Sequence, residues 1–448
     1  MTIGLKNSAA FRLGWAGVVI AATLLGGGLG CAKAQDAMPP IAAPRIPSAV
    51  FPITRYGAVA GGKALDTAAI QKAIDACAAA GGGEVEVPAG RFLTGPIHLA
   101  SNLDLHLDAG ATLAISNDTA DFKIVKDRYE NCIMGERLHD VAITGAGTID
   151  GQGGPWWKTF DAWRLGPKGV PAPPHRPFLV VLEHCRRVLV QGVTIENSPM
   201  FHLVPQECQD VRIDHVTIRA PVTAKNTDGC DPSGWNFLIT DCTFDVGDDC
   251  IALKPSGKIA PDQPACKNFL IEHCTFDHGH GMSVGGQTPG GLDNLVVRDC
   301  TFHDTDAGIR LKAPRGAGGL VQNLTYENLT MTDVKVPILI TSYYPHIPRD
   351  PAKDAPQPVD ATTPIWRDIH ITNVTATGAG QDGIIAGLPE MPVSDVVLTN
   401  VHVSGDKPLL IANAKGVVFH DCSFKARSNP SIDVANAQVT GISVGSGE

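Results

Sequence analysis

The sequence predicts an all-β protein, a single-domain right-handed parallel β-helix with an N-terminal capping helix. Three observations lead to this fold class. One short apolar pattern recurs along the chain, few helical stretches separate its copies, and turn formers are abundant, with 48 glycines and 33 prolines against 6% aromatic residues. Self-similarity of this kind is typical of solenoids, in which each repeat buries its apolar face on the next one.

The recurring unit is an apolar residue, a variable one, an apolar one, two polar ones, Cys or Val, Thr or Ser, and an apolar one. Alternation within such a unit predicts a strand. Copies start roughly 21 to 32 residues apart, with one longer interval. They are VLVQGVTI (188–195), VRIDHVTI (211–218), FLITDCTF (237–244), FLIEHCTF (269–276), LVVRDCTF (295–302), LTYENLTM (324–331), IHITNVTA (369–376), VVLTNVHV (396–403) and VFHDCSF (418–424).

Other segments fit the same architecture. Residues 103–115 and 141–151 resemble earlier, less regular coils, and the Pro-rich residues 343–364, inside the longer interval, predict a surface loop. One cysteine position recurs in four copies: Cys242, Cys274, Cys300 and Cys422. Because equivalent positions stack in a solenoid, we interpret these as a ladder of small buried residues, with disulfides as the alternative.

A solenoid needs its end covered, and residues 66–83 form the one strong helix pattern. Asp66 or Thr67 can cap its start, and the glycines 81–83 end it. Its apolar positions fall on one face: Ile70, Ala73, Ile74 and Cys77. We therefore place this helix at the N-terminal end of the β-helix.

Residues 1–34 read as a signal peptide. Lys6 and Arg12 precede an apolar stretch, 13–30, and AKA (32–34) is a cleavage site before Gln35. A membrane anchor and lipidation at Cys31 are the alternatives. The mature domain is then 35–448, exported to the periplasm or the medium, and no later run is long enough to span a membrane.

Composition and the absence of certain motifs exclude several classes of function. The chain has 448 residues, 44% of them hydrophobic, and a formal charge of -10. The sequence has no basic stripe, so we exclude nucleic acid as a partner. We expect a monomer, since a capped solenoid needs no partner. Phosphate loops, zinc spacings and serine nucleophile elbows are absent from the sequence, and we expect neither a cofactor nor a metal.

Ionisable residues recur at about one coil's distance. Asp228 lies in NTDGCDPSG (226–234), Asp248 and Asp249 in GDDCIALK (247–254), His280 in HGHGMSVGG (278–286), and Arg310 and Lys312 in GIRLKA (308–313). In a solenoid such residues lie side by side on one face. Each alone is more often a turn residue or a solvated charge; together they indicate a site.

Paired carboxylates push each other's pKa values apart, so that one holds a proton while another stays ionised. Glycoside hydrolysis needs this division, because one acid protonates the leaving oxygen and a carboxylate activates water or attacks the sugar. Arg310 and Lys312 would bind an anion beside the scissile bond. The pattern therefore indicates a sugar that carries a carboxylate, such as galacturonate.

At these residues the sequence resembles the polygalacturonases, glycoside hydrolase family 28. NTDG, GDDCIALK, GHG and RLK occur in the family's order, and the resemblance covers roughly residues 51–425. It implies inverting hydrolysis of α-1,4-galacturonosidic bonds in pectin. Asp248 would be the general acid, Asp228 and Asp249 would hold and activate the water, and His280 would set the protonation of the acid.

The resemblance also implies substrate contacts. Arg310 and Lys312 would bind the sugar carboxylate, and Tyr344 would line the sugar site. Asn226 is counted with them, although we expect it to fix the turn rather than act on substrate. Cys230 and Gln287 depart from the family's commoner residues, and either could shift substrate preference.

Three other functions remain open: a hydrolase of another acidic pectin such as rhamnogalacturonan or xylogalacturonan, a calcium-dependent pectate lyase, and a non-enzymatic adhesin. Endo or exo action depends on whether a loop closes one end of the groove. Residues 156–177 and 343–364 are the candidate walls.

Overall fold

The structure, a computed structural model, describes residues 38–257, 260 and 262–442. The predicted signal peptide, with Cys31, lies outside the described residues. None of the helices in the described part of the chain is long and apolar enough to cross a membrane.

The chain winds through three parallel sheets, which agrees with the predicted parallel β-helix. The first sheet contains Gly83–Val87, Leu103–Leu107, His139–Gly145, Arg186–Gln191, Cys208–Asp214, Gly234–Thr240 and Cys266–Glu272. The second contains Gly90–Thr94, Ala111–Ile115, Thr148–Asp150, Thr194–Glu196, Thr217–Arg219, Thr243–Asp245, Thr275–Asp277 and Ser423–Ala426.

The third sheet contains Ile97–His98, Ile133–Glu136, Val180–Glu183, Leu203–Gln206, Ile251–Leu253, Met282–Gly285, Ala307–Lys312, Val336–Thr341 and Ile432–Thr440. Four long strands continue from one sheet into another: Leu292–His303, Leu320–Thr332, Ile365–Ala386 and Val393–His420. A small antiparallel hairpin joins Ile124–Val125 to Arg128–Tyr129. Short 3-10 helices cover Ile53–Tyr56, Thr119–Asp121 and Pro351–Lys353.

The register confirms the repeat. The first apolar residues of consecutive copies are paired neighbours, as in Phe237 with Phe269 and Leu324 with Ile369. The second of these pairs spans the longer interval, so residues 343–364 are an insertion between coils. Buried phenylalanines stack along the interior, with ring centroids 4.5 Å apart for Phe237–Phe269 and for Phe276–Phe302. Each coil thus buries its apolar face on the next.

The polar positions of the repeat form the bend between the first and second sheets. Asp299, Asn328, Asn373 and Asn400 all have φ near 55°, a left-handed conformation that Asn and Asp tolerate. Their side chains form a chain of hydrogen bonds from coil to coil, at 2.8 to 3.0 Å. The cysteine position follows this bend. Cys242, Cys274 and Cys300 are buried free thiols there, as the ladder interpretation expected, while Cys422 is partly exposed.

The capping helix is confirmed as Thr67–Ala79, with Ile70, Ala73, Ile74 and Cys77 buried. It contacts the first coil, including Gly83–Val87 and Gly90–Thr94. The predicted N-cap residues do not form side-chain hydrogen bonds to the start of the helix. Asp66 occupies the N-cap position, but its carboxylate accepts the N–H of Val59 at 2.9 Å. Thr67 Oγ1 accepts the N–H of Gly95 at 2.7 Å and ties the helix to the coil.

A second helix, Gly154–Arg164, was not predicted. Its Trp156 is buried and packs edge-on against Phe122 and Tyr129, with centroids 5.4 and 4.9 Å away. Trp157 Nε1 donates to the carbonyl of Ser198 at 3.0 Å. The two tryptophans therefore fix this helix to the body of the β-helix.

Candidate active site

The predicted ionisable residues meet at the entrance to the third sheet. Asp228 lies two residues before Cys230, which bridges Leu203 and Ile251 in that sheet. Asp248 and Asp249 come just before Ile251–Leu253, and His280 just before Met282–Gly285. The next strand carries Arg310 and Lys312, whose register partners are Ser283 and Gly285. Successive coils thus bring all six side chains to one place.

Asp249 is the centre of this cluster. Its buried carboxylate accepts hydrogen bonds from Arg310 Nη1 at 2.6 Å, Lys312 Nζ at 2.8 Å and Ser283 Oγ at 2.9 Å. Burial works to raise the pKa of Asp249, but the surrounding cations, Lys312 foremost, hold it well below its usual range. Asp249 is therefore ionised at neutral pH.

Asp248 is the more exposed member of the pair, with 18% of its side chain accessible. Its Oδ1 lies 3.1 Å from His280 Nδ1, and its Oδ2 accepts the backbone N–H of Asn226 at 3.1 Å. Burial works to raise the pKa of Asp248, but the contact with His280 and the hydrogen bonds it accepts outweigh burial and lower it. Asp248 is therefore a partly exposed carboxylate with His280, itself 25% exposed, at its side.

His280 lies between two acidic groups. Its Nε2 is 3.1 Å from Asp306 Oδ2, and Asp306 also contacts Lys335. Burial would lower the pKa of His280, but Asp248, Asp249 and Asp306 together raise it to about 11. At neutral pH His280 is therefore an imidazolium, with its Nδ1 beside Asp248.

Two charged residues beside the catalytic carboxylates, Lys254 and Asp231, were not predicted from the sequence. Lys254 Nζ lies 3.3 Å from Asp228, 3.5 Å from Asp231 and 3.8 Å from Asp249. Both stand inside the quoted motifs: Asp231 is three residues after Asp228, and Lys254 ends GDDCIALK. Asp231 follows the irregular NTDG turn and could not be placed from the sequence. Lys254 directly follows the strand Ile251–Leu253, at the position that Lys312 takes two coils later, so strand alternation could have indicated it.

Asp228 and Asp231 are buried together. Burial, reinforced by Asp231, raises the pKa of Asp228 well above its usual range, and burial raises the pKa of Asp231 to about 7. The same carboxylates, with Asp249, raise the pKa of Lys254 against the effect of its burial. Oδ1 of Asp228 has no hydrogen-bond partner among the described residues. A buried acceptor of this kind is suited to holding a water molecule.

Asn226 fixes the turn, as expected. It has φ of 58°, and its Oδ1 accepts from Arg176 Nη2 at 3.1 Å. Arg176, also missed from the sequence, is buried, donates to the carbonyls of Pro199 and Lys225, and lies over the ring of Phe160 at 4.2 Å. Burial lowers the pKa of Arg176 to about 10. This guanidinium fastens the NTDG turn to the second helix.

Tyr344 lies where the resemblance placed it. Its ring centroid is 5.1 Å from Lys312 Nζ, and it packs on Gly286, where an added Cβ would come within 2.6 Å of the ring. Tyr344, Gln287 and Lys254 line a cavity of about 490 Å³. The expectation for Cys230 was wrong: its side chain is fully buried in the core, so it cannot contact a substrate.

The family model for glycosyl hydrolases family 28 matches residues 77–423. The chain belongs to this family.

Three proteins similar to this family-28 chain are named as polygalacturonases or probable polygalacturonases. The chain is 30% identical over 385 residues to a probable polygalacturonase of Vitis vinifera, covering 81% of this chain and 74% of the relative. It is 29% identical to an endo-polygalacturonase of Pectobacterium carotovorum, covering 78% and 86%. Among solved structures, an exopolygalacturonase of Thermotoga maritima superposes with a TM-score of 0.70 at 25% identity, covering 82% and 90%.

The family-28 site is poorly suited to calcium. Asp248, Asp249 and His280 could each offer one ligand atom to a metal ion. Calcium takes six to eight oxygen ligands, whereas here one of the three is a nitrogen donor. Both oxygens of Asp249 are already engaged by ammonium or guanidinium groups. These cations would repel a divalent ion, so the arrangement favours hydrolysis over a calcium-dependent elimination.

Proposed function

We propose that this protein is a polygalacturonase that hydrolyses α-1,4-galacturonosidic bonds in pectin with inversion of configuration. One observation carries the proposal: Asp248, partly exposed and 3.1 Å from His280, stands beside two buried carboxylates, Asp228 and Asp249, that both lie within 3.8 Å of Lys254. Membership of family 28 and the polygalacturonase names of the relatives support the substrate.

Asp248 is the general acid. The imidazolium of His280, 3.1 Å away, holds the proton that the pair delivers to the leaving oxygen through Asp248. Because Asp248 is the more exposed member of the pair, it is the proton donor that a glycosidic oxygen can reach.

Asp228 and Asp249 hold the attacking water. The raised pKa of Asp228 makes its carboxylate the stronger base, and its free Oδ1 can accept a proton from the water. Lys254 favours the ionised form of Asp228. Asp249 stays ionised and orients the water while it fixes Arg310 and Lys312, which bind the sugar carboxylate beside it.

The test is hydrolysis of polygalacturonate in EDTA, following reducing ends and the absorbance of unsaturated products together. New reducing ends without unsaturated product, lost in Asp248→Asn, are expected. The matched control is Asp245→Asn, an acid three residues earlier that pairs with His278 at the surface. Unsaturated product that appears with calcium would contradict the proposal.

Export is part of the same proposal. We infer that residues 1–34 are removed and that the enzyme acts in the periplasm or the medium, where pectin fragments occur. N-terminal sequencing of the protein recovered from either place should begin at Gln35. A lipid-modified Cys31 at the N-terminus would contradict cleavage there.

A further inference from the structure

A cavity of about 780 Å³ lies on the N-terminal side of the catalytic acids. Three segments wall it: residues 117–129, the second helix and residues 172–176. Asn226 lines the side facing the acids, and its backbone N–H donates to Asp248. One residue therefore separates this cavity from the general acid.

The walls are held in place by specific contacts. Trp156 is packed against Tyr129, and Trp163 Nε1 donates to the carbonyl of Val170 at 3.0 Å, which fastens the helix to the segment that follows it. Arg176 links Phe160 to Asn226. Because the same guanidinium holds the wall and the catalytic turn, the wall is fixed relative to Asp248.

The lining of this cavity offers little free positive charge. It is mainly aromatic and proline side chains, and Arg176 is the one Arg or Lys among the described residues that line it. That guanidinium is already engaged by two carbonyls, Asn226 and the face of Phe160. Aromatic rings suit the apolar face of a sugar ring. By contrast, the cations Lys254, Arg310 and Lys312 all lie on the other side of Asn226.

We propose that this cavity is a closed end subsite, so that the enzyme cuts from a chain end. The second helix and residues 172–176 form the end wall, and the cavity takes the terminal sugar by its ring face while the rest of the chain extends toward the cations. The segments that wall the cavity leave about 780 Å³, a volume that suits a small ligand. This inference rests on the proposed galacturonan hydrolysis and selects exo action for it.

The first test compares viscosity with product length on polygalacturonate. The inference predicts only mono- or digalacturonate from the earliest time point, with little fall in viscosity per bond cut. A ladder of intermediate oligomers with a rapid fall in viscosity would overturn it while leaving the hydrolase assignment intact. No new reducing ends at all would reject the proposed function itself, and the end subsite with it.

A second test probes the cavity directly with trigalacturonate. Trp163→Ala removes a ring from the lining and should raise KM about threefold to tenfold, the effect of one aromatic contact, with kcat within about twofold. The matched control is Leu165→Ala, on the same helix end but 73% exposed and outside the lining. Equal KM values in the two variants would overturn the assignment of the cavity as a sugar subsite.

Discussion

His280 Nδ1 lies 3.1 Å from Oδ1 of Asp248, and the other ring nitrogen lies 3.1 Å from Asp306. The ring is thus held between two carboxylates, and this position explains how a solvent-facing aspartate with a lowered pKa can work as an acid. The proton belongs to the pair, not to Asp248 alone.

Replacing His280 by Asn should lower kcat about 10²-fold, in the range expected for loss of acid catalysis. The basic limb of the pH profile should move to lower pH, because Asp248 alone releases its proton earlier than a pair in which His280 has a pKa of about 11. The measurement is kcat against pH for both proteins. His278→Asn is the control, since that ring contacts Asp245 at the surface, and an equal effect there would contradict the role of His280.

Lys312→Met removes a buried cation from Asp249. The pKa of Asp249 should rise, because Lys312 is the largest influence that lowers it, and a bound sugar carboxylate loses a partner. We expect kcat/KM to fall by at least about 10²-fold, as for loss of one preorganised charged contact. Steady-state kinetics measure this, with Lys353→Met, 84% exposed, as control. A loss under threefold would show that Lys312 has no such role.

Lys254→Met tests the residue that the sequence did not reveal. Without the ammonium, the pKa of Asp228 should rise further, so the acidic limb of kcat/KM should move to higher pH. A purely structural lysine would lower activity without moving that limb. Lys267→Met, whose partly exposed side chain donates to Gln263, is the control, and an unshifted limb in Lys254→Met would contradict the assignment.

Asp382 gives a prediction about stability. Its carboxylate oxygens are buried without a hydrogen-bond partner in the described part of the chain, and burial raises its pKa to about 6. The folded state therefore binds the proton more tightly than the unfolded state, and the stability this group contributes is lost as pH rises from about 4 through 6. Asp382→Asn should be more stable than wild type at pH 8, by on the order of 3 kcal/mol, and similar at pH 4.

Denaturant unfolding at the two pH values measures this difference. Asp395→Asn, an exposed acid with φ of 55° that Asn also accepts, should leave both values unchanged. The same gain for Asp382→Asn at pH 4 as at pH 8 would show that desolvation of the charge is not the cause.

The sequence was most informative where the structure is periodic. The paired apolar positions of the repeat, as in Phe237 and Phe269, follow from alternation alone, and the catalytic column follows because one coil's spacing places residues side by side. Outside the repeat the pattern fails. Asp231 points into the site after an irregular turn, which carries no periodic signal. Lys254 is different, because it continues the strand Ile251–Leu253 at the position equivalent to Lys312, a signal that was present in the sequence and not used.

The second helix had a signal that could have been used. Pro155 stands in its first turn, and Trp156, Phe160 and Trp163 are spaced as one helical face. Its position against the NTDG turn could not be predicted, because the contact depends on Arg176, fifty residues before Asn226 in the chain. The expectation for Cys230 was wrong for the opposite reason. Cys230 stands beside catalytic residues in sequence, but strand alternation turns its side chain into the core.

The most direct test of the roles proposed for the three acids is the anomeric form of the first product. Proton NMR monitors this form during hydrolysis of an α-linked oligogalacturonate. Water held by Asp228 and Asp249 attacks opposite the oxygen that Asp248 protonates, so the β anomer should appear first and then equilibrate. If the α anomer appears first, one of these carboxylates attacks the sugar directly, and the roles assigned to the three acids are wrong.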